Sequence, residues 1–349
     1  MNVLVLGVGG NVSQGILKAL ALCRLSCRVV SACVNSRAFG LYTADKAYNS
    51  PPAADPNFPE WLLRICREEG IHAILSGVEP VLKVLSCEAA RIKAETGAIA
   101  LVSSPECLAV GDDKLATCRW LEAHGLAFPA YADSEDSEAV QALVNSCGYP
   151  LLAKPRHGKG GEGIQEIHGD VDLRFASKRP GYVIQQYLGD ADQEYTAACF
   201  SDRDSNVRGC IVLRRKLMSG TTLHAEAGGY PLMRAEAIRI AKALRPLGPC
   251  NVQMRLHEGR AVCFEINVRF SGTTPIRARL GFNDVESALR HYVLGEPAED
   301  LPVITRGICV RYWNEAYPDL RAVAQIDERS ELDSAAGYRT TIESYGSKA

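Results

Sequence analysis

The side chains best suited to chemistry lie in two neighbouring stretches, CNVQMRL (residues 250–256) and AVCFEINVR (residues 261–269), separated by a turn at Glu258 and Gly259. Each stretch reads as a strand, and together they read as a hairpin. Successive strand side chains point to opposite faces. Asn251, Gln253 and Arg255 therefore share one face of the first strand. Glu265, Asn267 and Arg269 share one face of the second, and Phe264, Ile266 and Val268 share the other. The polar faces set a glutamine, a carboxylate, a carboxamide and a guanidinium side by side. Magnesium takes oxygen ligands, commonly one or two carboxylates together with phosphate oxygens and water. Glu265 offers the carboxylate, while Gln253 and Asn267 offer amide oxygens. Arg269 can hold a transferred phosphoryl group bidentately. The competing reading is a solvated outer face on an edge hairpin, although such a face more commonly carries Lys, Thr and Ser.

Other cations point the same way, each with a plainer alternative. Lys154 closes an apolar strand, LLAKP, directly before the glycine-rich loop HGKGGEG. The loop, residues 158–163 with Gly160 and Gly161 at its centre, can bring backbone N–H groups to phosphate oxygens. No GK[ST] ends it, so it is not a Walker-type loop. Lys114 opens a helix, where a cation opposes the helix dipole unless an anion offsets it. Arg214, Arg215 and Lys216 are candidates for the phosphates or a substrate carboxylate, or else form a solvated basic strand. Arg277 and Arg279 are candidates for a second substrate or for a helix face.

The elements that must position these residues follow two rhythms. Residues 1–105 alternate strands (3–6, 28–34, 73–75, 99–102) with helices (12–23, 61–69, 81–94), which implies a parallel sheet covered by helices. Beyond them come a helix at 113–124, strands at 149–154, 164–167, 182–187 and 194–201, a helix at 235–247, the hairpin, a helical stretch at 285–294 and a strand at 308–313. That second part is an α+β pattern.

With 349 residues the chain is long enough for two or three domains of roughly 100–200 residues each. A net charge of −2 gives no general electrostatic capture of nucleic acid or anionic membrane. The 13 cysteines include no CxxC pair, which favours buried thiols in a reducing compartment over a metal or disulfide framework. The start MNVLVLGVGG has no basic leader, and no apolar run reaches the roughly 18 residues of a membrane span. A cytoplasmic location is the expectation.

Gly7-Val8-Gly9-Gly10-Asn11-Val12 follows a strand and opens a helix, as a dinucleotide fingerprint would. Val12 stands where the third glycine belongs, and no Asp or Glu lies between Asn11 and Ala44 to hold ribose hydroxyls. The motif reads instead as a tight turn, with a substrate cleft at the strand ends as a further reading. Glu79, after Ser76 and Gly77, either faces that cleft or is an ordinary first-turn glutamate.

The order of these motifs resembles the ATP-grasp superfamily of ADP-forming ligases, above all the amino-terminal ATP-grasp half of the carbamoyl-phosphate synthetase large subunit. NVQ (251–253) followed by FEINVRFSGTT (264–274) carries the likeness most specifically. DDK (112–114), AKP with its glycine loop, and QQYLGDADQEY (185–195) follow in family order. The resemblance implies an ATP-grasp fold behind a Rossmann-like α/β domain. The implied divisions are 1–105, a linker and lid over 106–190, a metal-holding part over 191–300, and an extension over 301–349 without assigned role. It also implies that Lys114 and Lys154 hold ATP phosphates, that Gln186, Tyr187 and Leu188 form the adenine hinge, and that Glu194 takes the ribose. Gln253, Glu265 and Asn267 match the magnesium ligands, with manganese as an alternative ion. Arg269 matches the arginine near the transferred phosphoryl group, and Arg215, from the basic strand, is the second candidate catalytic cation. The activity so implied is ATP-dependent joining of a small carboxylate and an amine through an acyl phosphate. One-step carboxylate phosphorylation, carboxylate–thiol ligation and a degenerate nucleotide-binding regulator remain alternatives. No nucleic-acid or membrane partner is expected, and homodimerisation stays open.

Overall fold

A computed structural model describes residues 1–158, 160–189 and 191–343. Lys159 of the glycine loop, Asp190 of the hinge segment and the last six residues of the extension lie outside the described residues. The chain forms two compact units, one of residues 1–105, 269–301 and 311–349, the other of residues 106–268 and 302–310.

The first unit is built on a parallel sheet of β1 (Asn2–Leu6), β2 (Arg28–Cys33), β3 (Lys46–Asn49), β4 (Ala73–Ser76) and β5 (Ile99–Ala100), in the order β3-β2-β1-β4-β5. Val3, Leu4 and Val5 are fully buried, as in strands covered on both faces. The helices α1 (Asn11–Leu20), α2 (Phe58–Glu68) and α3 (Glu79–Thr96) follow strands in the expected rhythm. In α2 the buried positions Phe58, Leu62, Ile65 and Cys66 form one apolar stripe. The strand order reverses between β1 and β4, where open α/β sheets place their ligand crevice. Gly7 at that point has φ +72°, and a Cβ on it would lie 2.3 Å from Cγ2 of Val78. The first glycine of the motif is therefore required for a turn. Ser13 fastens the two strand ends: its hydroxyl donates to the Leu6 carbonyl (2.8 Å) and accepts from the Gly77 N–H (3.0 Å).

Two features of this unit escape local pattern. The strand Glu331–Asp333 pairs antiparallel with β3, so the extension supplies a sixth strand to the sheet. The helix Thr274–Arg279 packs on α1 at Gly15, where a Cβ would come within 2.9 Å of Pro275.

The second unit contains α4 (Pro105–Asp112), mostly within it, followed by α5 (Lys114–Ala123), β6 (Tyr131–Asp133), α6 (Ser137–Cys147), β7 (Leu151–Pro155), β8 (Gln165–Ile167), α7 (Asp170–Ala176) and β9 (Tyr182–Gln186). Strands β6–β9 make an antiparallel sheet in the order β6-β9-β7-β8. Val140 and Leu143 of α6 close its small core over Leu151, Ala153 and Ile184. A six-stranded antiparallel sheet follows, built from β10 (Glu194–Ser201), β11 (Val207–Met218), β12 (Thr221–Ala227), β13 (Gly248–His257), β14 (Arg260–Asn267) and β15 (Gly307–Val310), in the order β14-β13-β10-β11-β12-β15. The helix α8 (Pro231–Leu244) covers one face. Its Met233, Ala237, Ile240 and Leu244 pack with Cys199, Val212, Val252 and Ile266. Pro231 starts α8 four residues earlier than the apolar spacing suggests, since proline suits the first turn.

Strict alternation along 261–269 does not hold. The register runs Gln253↔Glu265 and then Met254↔Cys263, so Phe264 is an extra residue in a β-bulge. Cys263, Ile266 and Val268 face the core, but Phe264 is half-buried and leaves it. The strand also ends at Asn267, and Arg269 belongs to the first unit.

Candidate active site

The hairpin β13–β14 sets three side chains into direct contact. Gln253 Nε2 donates to Glu265 Oε1 (2.9 Å), and Asn267 Nδ2 donates to the same oxygen (2.9 Å). Glu265 Oε2 and Asn267 Oδ1 accept no hydrogen bond from the described residues. Two amides thus orient one carboxylate and leave oxygen lone pairs open, a donor set suited to a hard divalent ion. Among the described residues no group of three or more His, Cys, Asp and Glu forms a metal cage. A bound ion would therefore complete its shell with oxygens from elsewhere.

Lys154 on β7 faces this set. It is 7% exposed, its ammonium lies 5.1 Å from the centre of the Phe264 ring, and no described carboxylate comes within ion-pair distance of it. Burial pushes its pKa down to about 8, opposed by the charge of Glu265. The bulge matters here, because it brings Phe264 and Glu265, adjacent in sequence, to the same lysine.

Lys114 stands at the start of α5 and donates to the carbonyl of Gly158 (3.3 Å), the first residue of the glycine loop. Asp113 caps that helix through the Leu115 N–H (2.9 Å) and also binds Arg156 (Nε–Oδ2 3.0 Å). Burial would raise the Asp113 carboxyl, but Arg156 and the helix N–H groups overcome it and hold it below the usual range. The loop is seated a second time on Gly220 of the β11–β12 turn, where a Cβ would fall 2.2 Å from the Gly160 carbonyl oxygen. Gly220 has φ +70°, so a side chain there is strained as well as crowded. A Gly220→Ala substitution is expected to lift the loop. Faster amide hydrogen exchange over residues 158–163 would show it, and unchanged exchange would refute the contact.

The hinge segment divides. Gln186 pairs with Ala130 through its backbone N–H (2.8 Å), and its side chain lies 3.1 Å from His257 Nε2. Tyr187 is half-buried and Leu188 buried. Glu194, one strand away from Gln253, has both oxygens engaged: Oε1 by Arg215 (2.8 Å) and Oε2 by Arg255 (3.1 Å). Arg215 also donates to Gln253 Oε1 (2.6 Å), extending the network to Glu265. This Glu194–Arg215–Gln253–Glu265 chain joins residues 71 positions apart and has no local sequence signature. Its neighbours Arg214 and Lys216 turn outward to Glu226 (2.6 Å) and Asp192 (2.9 Å).

Two arginines sit differently from the sequence expectation. Arg269 is not part of β14, which ends at Asn267. It lies past the strand end, in the first unit, with Nε donating to Glu79 Oε1 (2.9 Å). Arg277 is no free cation for a substrate. It is fully buried, holding Asp284 through Nη2 (2.7 Å) and Nε (3.0 Å). Arg279 is exposed.

A family model described as "PylC-like, N-terminal domain" matches residues 3–100, and one described as "ATP-grasp in the biosynthetic pathway with Ter operon" matches residues 178–316. The fold also resembles N5-carboxyaminoimidazole synthetase from Staphylococcus aureus complexed with ADP, with TM-score 0.69 and 14% identity over 87% of this chain and 79% of that one. A similar match is the biotin carboxylase domain dimer of the Hydrogenobacter thermophilus 2-oxoglutarate carboxylase, in complex with MgADP, ADP and bicarbonate. It has TM-score 0.67 and 19% identity over 88% of this chain and 73% of that one. The chain thus has an ATP-grasp fold, with a Rossmann-like domain that matches the PylC-like model ahead of the part that matches the ATP-grasp model. Within that class it is similar to the carbamoyl phosphate synthase large chain of Gemmatimonas aurantiaca, 24% identical over 243 residues and 65% of this chain. The chain spans about a fifth (22%) of that relative's length. No helix among the described residues is long and apolar enough to cross a membrane.

Proposed function

We propose that the protein is an ADP-forming ligase that binds magnesium-ATP, phosphorylates a small carboxylate and joins the acyl group to an amine. The observation carrying this reading is the oriented Glu265 carboxylate, held by Gln253 and Asn267 and faced by the buried, unpaired Lys154. Glu265 Oε2 and Asn267 Oδ1 would hold the metal ion, which supplies charge neutralisation on the triphosphate. Lys154 and Lys114 then bind phosphate oxygens. Gly160 and Gly161 cover them with backbone N–H groups, the segment Gln186–Leu188 lies along the adenine, and Glu194 is offered to the ribose. Arg215 is the remaining cation for the charge that spreads during transfer.

In the reaction the substrate carboxylate oxygen attacks the γ-phosphorus, and ADP leaves with the bridging oxygen. The amine nitrogen then adds to the acyl carbon, loses its proton and expels inorganic phosphate. The chain's own contribution is placement and fixed charge, the main levers in phosphoryl transfer. The partners are small carboxylate and amine substrates, in a protein expected in the cytoplasm. A homodimer is compatible with the biotin carboxylase domain dimer it resembles.

The test is a screen of amino acids and other small carboxylates, in pairs with amines, for magnesium-dependent ADP release, with products weighed by mass spectrometry. An amide product is expected. Glu265→Ala should lower turnover by roughly 10²–10³-fold, the usual scale for losing one preorganised electrostatic group. Turnover unchanged in a Glu265→Ala, Asn267→Ala double variant would remove the basis of the reading.

A further inference from the structure

The segment proposed to lie along the adenine runs past the end of β9. Leu188 is buried, yet its N–H donates to none of the described residues. The two flanks of the segment are fixed by one strand. On β13 the face that carries Asn251 and Gln253 continues through Arg255 to His257. Arg255 Nη1 donates to the Gly189 carbonyl at 2.5 Å, and the Gln186 side chain meets His257 Nε2 at 3.1 Å. Arg255 and His257 thus grip residues 189 and 186, with Tyr187 and Leu188 between the two grips.

The second grip has one chemical form. The Gln186 side chain is an amide, so it can offer His257 either an oxygen or an NH2 group. Ala130 decides which. Its N–H donates to Gln186 Oε1 at 3.3 Å, and its carbonyl accepts from the Gln186 N–H at 2.8 Å. Turning the amide over would set the partly buried Ala130 N–H against an NH2 group and leave it without an acceptor, which is costly. Gln186 Nε2 therefore donates to His257, and His257 Nε2 must present a lone pair. The ring proton then sits on Nδ1. Glu258 Oε1 is 3.9 Å from the same ring nitrogen, beyond hydrogen-bond reach, and that side chain is 83% exposed.

We propose that His257, held as the Nδ1–H tautomer, is a positioning residue for the nucleotide base: it accepts from Gln186 and, with Arg255, sets the course of residues 186–189 along the ring. This assignment rests on the magnesium-ATP reading above and concerns only the base half of the nucleotide. In that reading Lys114, Lys154 and Glu265 serve the polyphosphate half, and none of them shares a hydrogen bond or ion pair with His257. The donor and acceptor logic also says which residue can replace the histidine. Glutamine at 257 can bring an amide oxygen to the place of Nε2, whereas leucine fills similar space and accepts nothing.

The experiment has two arms. Nitrogen-15 spectra of the native protein, with the His257 ring assigned through its own backbone resonances, should show Nδ1 protonated and Nε2 bare. Calorimetry then compares magnesium-ATP with magnesium tripolyphosphate, which has the phosphates and no base, on the native protein, His257→Leu and His257→Gln. His257→Leu is expected to bind ATP roughly 3- to 10-fold more weakly, the usual scale for one lost neutral hydrogen bond, and to bind tripolyphosphate as the native protein does. His257→Gln should restore ATP binding to within about 2-fold of native. A protonated Nε2 would overturn the proposal, as would unchanged ATP affinity in His257→Leu or an equal loss in the glutamine variant. Equal losses for ATP and tripolyphosphate would overturn it too, because they report a general disturbance of the fold. A native protein that binds ATP no more tightly than tripolyphosphate would instead overturn the adenine role of residues 186–188, and the proposal with it. Because the ring spectrum of the native protein decides by itself, a variant that fails to fold leaves the test intact.

Discussion

Lys154→Met is expected to raise the melting temperature of the second unit while weakening ATP binding. The lysine is buried with no ion-pair partner, so its charge is carried at a cost to the fold. Burial lowers its pKa from 10.5 to about 8. The folded state therefore binds fewer protons than the unfolded chain between those values, and stability rises with pH across that window. Stability is fully regained above about pH 10.5 and is lost as pH falls through about 8. At neutral pH the penalty is on the order of 3 kcal/mol, taking about 1.4 kcal/mol per pH unit. Methionine keeps the length and removes the charge, so unfolding of the variant should lose this pH dependence.

ATP phosphates would reverse the same imbalance. Anionic oxygens favour the ammonium, so binding between pH 8 and 9 should take up a proton. Calorimetry in buffers of different ionisation enthalpy would detect it. Losing a charge-assisted hydrogen bond of roughly 1.5–3 kcal/mol should weaken ATP binding by roughly 10- to 150-fold. A Lys154→Met protein that binds ATP as tightly as the native one would refute the phosphate role. One that melts no higher would refute the account of its burial.

Both outcomes turn on a residue whose type and place were legible while its environment was not. Sequence alone puts Lys154 at the end of an apolar strand beside a glycine loop. That the strand end is roofed by Phe264 depends on the bulge in β14, and no glycine or proline marks the bulge. The βαβ rhythm of β1, β2, β4 and β5 was legible because buried parallel strands are short apolar runs bounded by turn residues, whereas the short β3, KAYN, carries no such run. The contact of Gln253, Glu265 and Asn267 was legible because two strands joined by Glu258 and Gly259 have one natural pairing, and the observed register sets Gln253 opposite Glu265. Contacts of long sequence range left no such trace. Glu331–Asp333 completes the first sheet from the far end of the chain, and Arg215 reaches Gln253 across 38 residues. Local pattern also made Arg277 a substrate candidate, since a charged residue in a short helix is normally exposed.

Asp284→Ala is accordingly expected to be among the most destabilising single changes in the first unit. Arg277 and Asp284 have side-chain exposures of 1% and 0%, joined at 2.7 and 3.0 Å, and Nη1 of the arginine donates to Ser271 Oγ at 2.8 Å. Removing the aspartate strands a guanidinium that neither water nor another carboxylate reaches, at about 3–5 kcal/mol for a buried pair broken from one side. The loss falls on the junction between Thr274–Arg279 and α1, where Pro275 fits against Gly15 with no space to re-pack. The paired change Arg277→Met with Asp284→Leu removes both charges together and should cost clearly less than either single change. That non-additivity separates a desolvated ion pair from simple loss of packing. Urea unfolding of the single and double variants measures it. An Asp284→Ala protein within about 1 kcal/mol of the native one would mean that the arginine finds water, against the usual cost of an unpaired buried charge.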